Sequence, residues 1–228
     1  KINLFNIKYI KIPSGEINNH LLLKKIAKLK KKIILSTGGS ELKEIREALI
    51  TLKKNKLHIS KISLLHCVSN YPSSFKSTNL KSIISLKNKF KCDVGLSDHS
   101  LGYSIPLAAV SLGAKIIEKH LTLSKKMKGP DHKASLEPKE FKKMVEEIKN
   151  IEIALGNKNK KIQKEEKENI LLVRKSIVAK KNIKKGDKFS DYNLTLKRPG
   201  TGLTSKNWTK LIGTKSRKKF KKDDLITL

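Results

Sequence analysis

Short apolar runs return about every 25 residues through the N-terminal part of the chain, each followed by a stretch with helical periodicity. The runs cover 7–12, 33–36, 62–67, 93–96 and 114–118. Between them, 41–54 places Leu42, Ile45, Ala48, Leu49 and Leu52 on one stripe, with Ser40 as the expected N-cap. Likewise 79–90 turns Leu80, Ile83, Ile84 and Leu86 to one side. A last helix is expected over 138–155, with Pro138 in its first turn and Gly156 closing it. Its apolar face comprises Phe141, Met144, Val145, Ile148 and Ile151. Alternation of this period builds right-handed βαβ units around a parallel sheet, an α/β fold.

Five such units fit either an open doubly wound sheet or the last five of the eight strands of a (β/α)8 TIM barrel. Polar residues stand at the C-terminal end of every run, which favours the barrel, because an open sheet gathers its chemistry at one switch point. The chain opens on Lys1 rather than Met and enters an apolar strand almost at once, so three further strands are expected upstream. The expected organisation is a partial barrel over 1–156, a charged linker over 157–170, and a small β-rich domain over 171–228. In that last part short strands and turns replace helical periodicity, with Lys185-Gly186-Asp187 and Pro199-Gly200 as turn signals.

A formal charge of +32, from 52 Lys+Arg against 20 Asp+Glu, raises the question of a nucleic-acid partner. The excess is almost all lysine, with guanidinium groups only at Arg46, Arg174, Arg198 and Arg217, and it is spread over every helix face and loop. Aromatic content of 5% leaves few stacking platforms, so no specific nucleic-acid partner is expected. No window approaches the roughly 18 apolar residues of a membrane span. Cys67 and Cys92 fall at strand positions without metal-type spacing, which reads as unpaired thiols in a reducing cytoplasm.

The chemistry concentrates where the runs end. Gly95-Leu96-Ser97-Asp98-His99 and Ile116-Ile117-Glu118-Lys119-His120 each carry a strand out of the core into metal-competent side chains. Side-chain alternation puts Ser97 and His99 on one face and Asp98 on the other. His99 and His120, arriving from separate strand ends, can share one divalent cation. Mixed nitrogen and oxygen ligation suits Mn²⁺ better than Mg²⁺, with Co²⁺ as a further candidate. Lys11 on an otherwise apolar strand calls for an anion. The turn Ser36-Thr37-Gly38-Gly39-Ser40 reads either as an anion cradle or as an ordinary capped βα turn. Ser69, Tyr71 and Ser97 end further strands, so with Lys11 and Ser36 they line one mouth. Glu16 and Asp131 sit on loops at the same end and suit sugar hydroxyls. Ser97, Asp98 and His99 do not form a hydrolase triad, because adjacent strand positions diverge and no Gly-x-Ser-x-Gly elbow is present. His66 reads as a core or supporting residue, and His20 and His58 as surface residues.

Taken in order, these motifs resemble the sialic acid synthase family. They are Lys11-Ile12-Pro13-Ser14-Gly15-Glu16, Leu35-Ser36-Thr37-Gly38, Leu65-His66-Cys67, Tyr71-Pro72, Gly95-Leu96-Ser97-Asp98-His99, Glu118-Lys119-His120 and Gly129-Pro130-Asp131-His132-Lys133-Ala134-Ser135-Leu136-Glu137-Pro138. The tail Lys197-Arg198-Pro199-Gly200-Thr201-Gly202 resembles the antifreeze-like SAF domain of those enzymes. The resemblance implies condensation of phosphoenolpyruvate with N-acetylmannosamine, or a related 2-acetamido sugar, to an N-acetylneuraminate-type nonulosonic acid and phosphate. By the same resemblance, Glu16, His99, His120 and Asp131 are catalytic, and the two histidines hold the metal. Lys11, Ser14, Ser36, Ser69, Tyr71 and Ser97 bind phosphoenolpyruvate. Glu16, Tyr71, Asp131 and Arg198 bind the sugar, Arg198 being supplied across a domain-swapped cytoplasmic homodimer. Legionaminate or another nonulosonate is the alternative product, and a noncatalytic remnant that binds phosphate or sugar is the alternative class. Without the first barrel strands, this stretch alone is expected to be inactive.

Overall fold

The computed structural model describes residues 7–228. The chain divides into two compact units, Lys1–Asn157 and Lys158–Leu228. Among the described residues the first holds five strands, β1 (Tyr9–Ile12), β2 (Lys32–Ser36), β3 (Ile62–Cys67), β4 (Asp93–Asp98) and β5 (Ile117–Lys119). All pair in parallel in the order β1-β2-β3-β4-β5. Helices α1 (His20–Ala27), α2 (Leu42–Lys54), α3 (Ser82–Phe90) and α4 (Ser104–Ser111) form the crossovers, and α5 (Pro138–Leu155) follows the last strand. A doubly wound sheet would reverse its strand order at a switch point. This one does not, and it is half of a barrel wall.

Curvature supports the same reading. Lys11 on β1 and Glu118 on β5 form an ion pair of 3.3 Å. Four inter-strand spacings in a flat sheet would separate these strands by about 19 Å. Two extended side chains and the gap between them span no more than about 14 Å, so the sheet must curl until its first and fifth strands face each other.

The residues pointing away from that concave face make the core. Ile12, Ile33, Leu35, Ile62, Leu64, Val94 and Leu96 are almost fully buried against Leu23, Ile45, Leu49, Leu52, Ile83 and Leu86 of the helices. Each such side chain contributes roughly 1.5–3 kcal/mol on burial. Gly95 is required where β4 meets β5, because a Cβ there would lie 2.3 Å from the Ile116 carbonyl oxygen.

Several local details depart from the expected pattern. The N-cap of α2 is Glu41, not Ser40, because Glu41 and Glu44 close a reciprocal capping box. Helix α3 begins at Ser82 instead of 79, since Asn79 is held at φ +43°. Leu42, Ile84 and Val145 are exposed at the edges of their stripes, and Met144 alone is fully buried on α5. Helix α6 (Glu166–Val173) starts inside the expected linker, with Glu166 and Glu168 in its first turn where the helix dipole favours acids.

In the second unit β6 (Ser176–Ala179) and β7 (Leu194–Lys197) pair antiparallel. Isolated bridges join Val178 to Leu225, Ile183 to Phe220 and Lys188 to Lys215. A short helix α7 (Trp208–Leu211) runs into a turn closed by Thr214 N on the Leu211 carbonyl at 3.0 Å. Ile177, Ala179, Ile183, Phe189, Leu194, Leu211, Phe220 and Ile226 form a separate core.

Candidate active site at the strand ends

Strand register decides which side chains meet. Lys11 pairs with Ile34, Ser36 with Leu65, Cys67 with Ser97 and Ser97 with Glu118, so these residues share the concave face. Ser97 donates to Glu118 Oε1 at 2.7 Å, while Lys11 Nζ lies 3.3 Å from the other carboxylate oxygen. Glu118 therefore stands at the centre of the mouth. It is the residue the sequence reading left unassigned, although it lies two positions before His120 on the same face of β5.

One step beyond the strands, the rings of His99 and His120 approach with centres 5.4 Å apart and planes at 81°. His99 Nδ1 lies 2.8 Å from the Val68 carbonyl oxygen, which can only accept, so Nδ1 carries the proton and Nε2 keeps its lone pair. The Ser97 hydroxyl donates its hydrogen bond to Glu118, and its oxygen lies 3.4 Å from His99 Nε2. Burial first, and the neighbouring His120 ring second, hold His99 below its ordinary pKa against opposing contributions from Val68, Asp98 and Glu118. His99 is thus a neutral imidazole with its free nitrogen turned to another acceptor, a donor set that suits a cation. The ring centres of two imidazoles on one ion of roughly 2.1 Å bond length can be no more than about 6.5 Å apart, and 5.4 Å lies within that span. Among the described residues no three His, Cys, Asp or Glu side chains converge to hold a metal.

Tyr71 covers this pair, its ring 4.0 Å from that of His99 and 5.7 Å from that of His120. Burial, then the charges of Cys67, Asp131 and Glu118, raise its phenol, which stays a donor. Asp131 reaches to 3.9 Å from His120 Nδ1. Its loop is fixed by the Ser135 hydroxyl on the Asp131 carbonyl at 2.7 Å and by a 2.8 Å contact between Thr122 Oγ1 and His132 Nδ1.

On the β1–β3 side, Ser14 Oγ accepts from Gly38 N at 2.9 Å and lies 3.2 Å from Cys67 Sγ. Ser69 packs on the same glycine, where an added Cβ would come within 2.4 Å of its hydroxyl. Two backbone donors of the 36–40 turn are already engaged within the protein. Gly38 N serves Ser14, and Thr37 N and Oγ1 both serve the Leu65 carbonyl. What the turn does offer is Ser36 Oγ, buried and without a hydrogen-bond partner. Glu16 is bound by Asn19 at 2.7 Å on its own turn, and among the described residues no hydrogen bond or ion pair joins it to the histidines. Arg198 belongs to the second unit, where its Nε donates to the Val173 carbonyl at 2.9 Å. His66 bonds the Thr78 carbonyl, His20 meets Thr51, and His58 caps Ser60. Both cysteines are free. A cavity of about 690 Å³ lies between α2 and α3, lined by Gly39, Ser40, Lys43, His66, Cys67 and Ser82 among others; Lys11, His99 and His120 do not line it.

The opposite face of the same strand ends carries a buried ion pair. Lys119 Nζ donates to Asp98 Oδ2 at 2.7 Å and to the Ser100 carbonyl, and Asp98 Oδ1 accepts from Ser100 N at 3.0 Å. The side chains are 0% and 1% exposed. The pair locks β4 to β5 directly behind Ser97, His99, Glu118 and His120. No helix among the described residues is long and apolar enough to cross a membrane.

Comparison with known proteins places this geometry in context. The N,N'-diacetyllegionaminic acid synthase of Campylobacter jejuni is 54% identical over 99% of this chain and 67% of its own length. The pseudaminic acid synthase of the same species is 40% identical over 95% of this chain and 62% of its own length. Among solved structures, the N-acetylneuraminic acid (sialic acid) synthetase of Leptospira borgpetersenii, in complex with citrate, superposes with a TM-score of 0.67 at 41% identity, covering 72% of this chain and 57% of that one. The chain thus spans about two thirds or less of the length of the proteins it matches. Residues 174–228 match the SAF domain, and residues 1–160 match the model of the NeuB family, to which this chain belongs.

Proposed function

We propose that these residues form part of a nonulosonate synthase that condenses phosphoenolpyruvate with an acetamido aldohexose and releases phosphate. The observation that carries the reading is the neutral His99, its Nδ1 tied to Val68, set beside His120 and the Lys11–Glu118–Ser97 unit at one strand-end mouth. The product named for the 54% identical relative bears two acetamido groups, which favours a diacetamido sugar over N-acetylmannosamine.

Lys11, with the unpartnered Ser36 hydroxyl and with Ser14 and Ser69, receives the phosphate and carboxylate of phosphoenolpyruvate. Tyr71 closes over the histidine pair, excludes water, and donates its phenolic proton toward sugar oxygens. Asp131 and Glu16 accept from sugar hydroxyls, and Arg198 donates to an acetamido carbonyl. The methylene carbon of phosphoenolpyruvate bonds to the sugar aldehyde, water adds to the resulting cation, and phosphate departs with its bridging oxygen. A divalent cation such as Mn²⁺ on His99 and His120 supplies Lewis-acid polarisation of a carbonyl oxygen when bound. A homodimer in which Arg198 reaches the partner's sugar belongs to the same proposal.

The test is phosphate release from phosphoenolpyruvate with a panel of mono- and diacetamido aldohexoses, using the full reading frame that carries these residues. His99→Ala and His120→Ala are expected to lose Mn²⁺ binding as well as turnover. Wild-type turnover in both variants, or no phosphate release with any sugar of the panel, refutes the reading.

A further inference from the structure

The Glu118 carboxylate engages at once the two groups expected to grip an anion, Lys11 Nζ at 3.3 Å and Ser97 Oγ at 2.7 Å. A fixed negative charge therefore stands where a negative ligand arrives, which on affinity alone is unfavourable. The arrangement makes sense as positioning. Lys11 comes from β1 and Ser97 from β4, and the flexible lysine stem would otherwise sample many rotamers. Bound to one carboxylate, the ammonium and the hydroxyl are held in a single geometry across the mouth. The ammonium keeps further protons for a ligand, and the hydroxyl oxygen stays turned toward His99.

Resting on the synthase reading, we propose that Glu118 is a positioning residue that holds Lys11 and Ser97 for the phosphoenolpyruvate anion and weakens ground-state binding of that anion in doing so. Both side chains of the ion pair are partly open, 34% and 40% exposed, so the repulsion is screened. At an effective dielectric constant of about 40 and a separation of roughly 5 Å, it corresponds to about a fifteenfold change in affinity per unit of ligand charge, which salt screening reduces. Uniform binding of this kind lowers KM without raising kcat, so sacrificing it for geometry favours turnover.

The experiment compares wild type, Glu118→Gln, Glu118→Asp and Lys11→Ala in the full reading frame. Binding of inorganic phosphate is titrated calorimetrically without sugar, and kcat and KM for phosphoenolpyruvate are measured separately. Glu118→Gln should bind phosphate about three- to tenfold more tightly, with a lower KM and a kcat reduced about tenfold or more. Glu118→Asp keeps the charge on a shorter stem, so its phosphate affinity should stay near wild type while kcat still falls. Lys11→Ala should lose phosphate binding. A merely structural role would shrink the active fraction and leave KM and phosphate affinity unmoved. That result, weaker phosphate binding by Glu118→Gln, or no phosphate binding by any of the four proteins overturns the proposal. Thermal melts identify an unfolded Glu118→Gln variant, in which case the Glu118→Asp comparison decides. Because the titration requires no turnover, phosphate binding that follows the charge at position 118, with no activity on any sugar, rejects the synthase reading alone.

Discussion

The Lys119–Asp98 pair offers a sharp test of how the site is supported. Both side chains are essentially sealed from water, and the ammonium is bound by Asp98 and the Ser100 carbonyl together. Lys119→Met keeps the stem and removes the charge, leaving a buried carboxylate held by Ser100 N. Asp98→Asn removes the opposite charge and keeps an acceptor for Ser100 N. Breaking such a pair from one side costs about 3–5 kcal/mol, because the survivor is an uncompensated buried charge. At 4 kcal/mol, the urea midpoint should fall by about 2 M for a slope of about 2 kcal/mol/M, and Tm by about 8–16 °C. The double variant buries no charge, so its loss should be well below the sum of the two, by about 2 kcal/mol or more. Urea titrations of the four proteins followed by circular dichroism measure this directly. Single losses below about 1 kcal/mol, or losses additive within about 0.5 kcal/mol, would refute the reasoning.

Other outcomes follow from individual contacts. Gly95→Ala would drive a methyl into the Ile116 carbonyl and Leu65, so it should cost at least about 1–3 kcal/mol and lower Tm in thermal melts; an unchanged Tm would contradict the close approach of β4 and β5. Ser176→Ala in the second unit removes both the donor to the Pro199 carbonyl at 2.6 Å and the acceptor for Gly202 N at 2.8 Å. It should destabilise that unit by about 1–3 kcal/mol in denaturant titration, and a neutral effect would argue against the tie. Burial, then the Asp93 charge, pushes the Cys92 thiol from 9.0 up to about 11. The proton is held more tightly in the folded chain, so the iodoacetamide rate at Cys92, read by peptide mass spectrometry, should keep climbing from pH 9 toward 11; a plateau near pH 9 would show an ordinary thiol.

Much of the site was legible because side-chain parity in a strand is a local property. Ser97 and His99 on one face and Asp98 on the other follow from alternation alone, and the structure separates them that way. The same rule, read backwards from His120, assigns Glu118 to the concave face, so that residue could have been found. A single offset of 21 residues relates Ser97 to Glu118 and Asp98 to Lys119, and it also separates the two histidines. That repeated offset is the β4–β5 register written in the sequence. It predicts a buried ion pair behind the site as directly as it predicts the paired rings in front.

What parity cannot supply is distance across the sheet. Lys11 and Glu118 are separated by four strand spacings, and only curvature brings their charges together. Curvature accumulates from the twist of all five strands and has no local signature. For the same reason the sequence left the 36–40 turn open between an anion cradle and an ordinary capped turn, because nothing near it reveals that Ser14 and Leu65 engage the Gly38 and Thr37 amides. Loop residues fare worse still, since Asp131 is brought to His120 by a loop whose hold on Thr122 and Ser135 follows no period. The division is physical. Groups whose direction is set by the strand they sit on can be assigned from one sequence, whereas groups whose partners come from curvature or from loop folding cannot. Glu118 belongs to both classes, its face set by parity and its partner by curvature, and that makes it the residue on which the two kinds of evidence can be tested against each other.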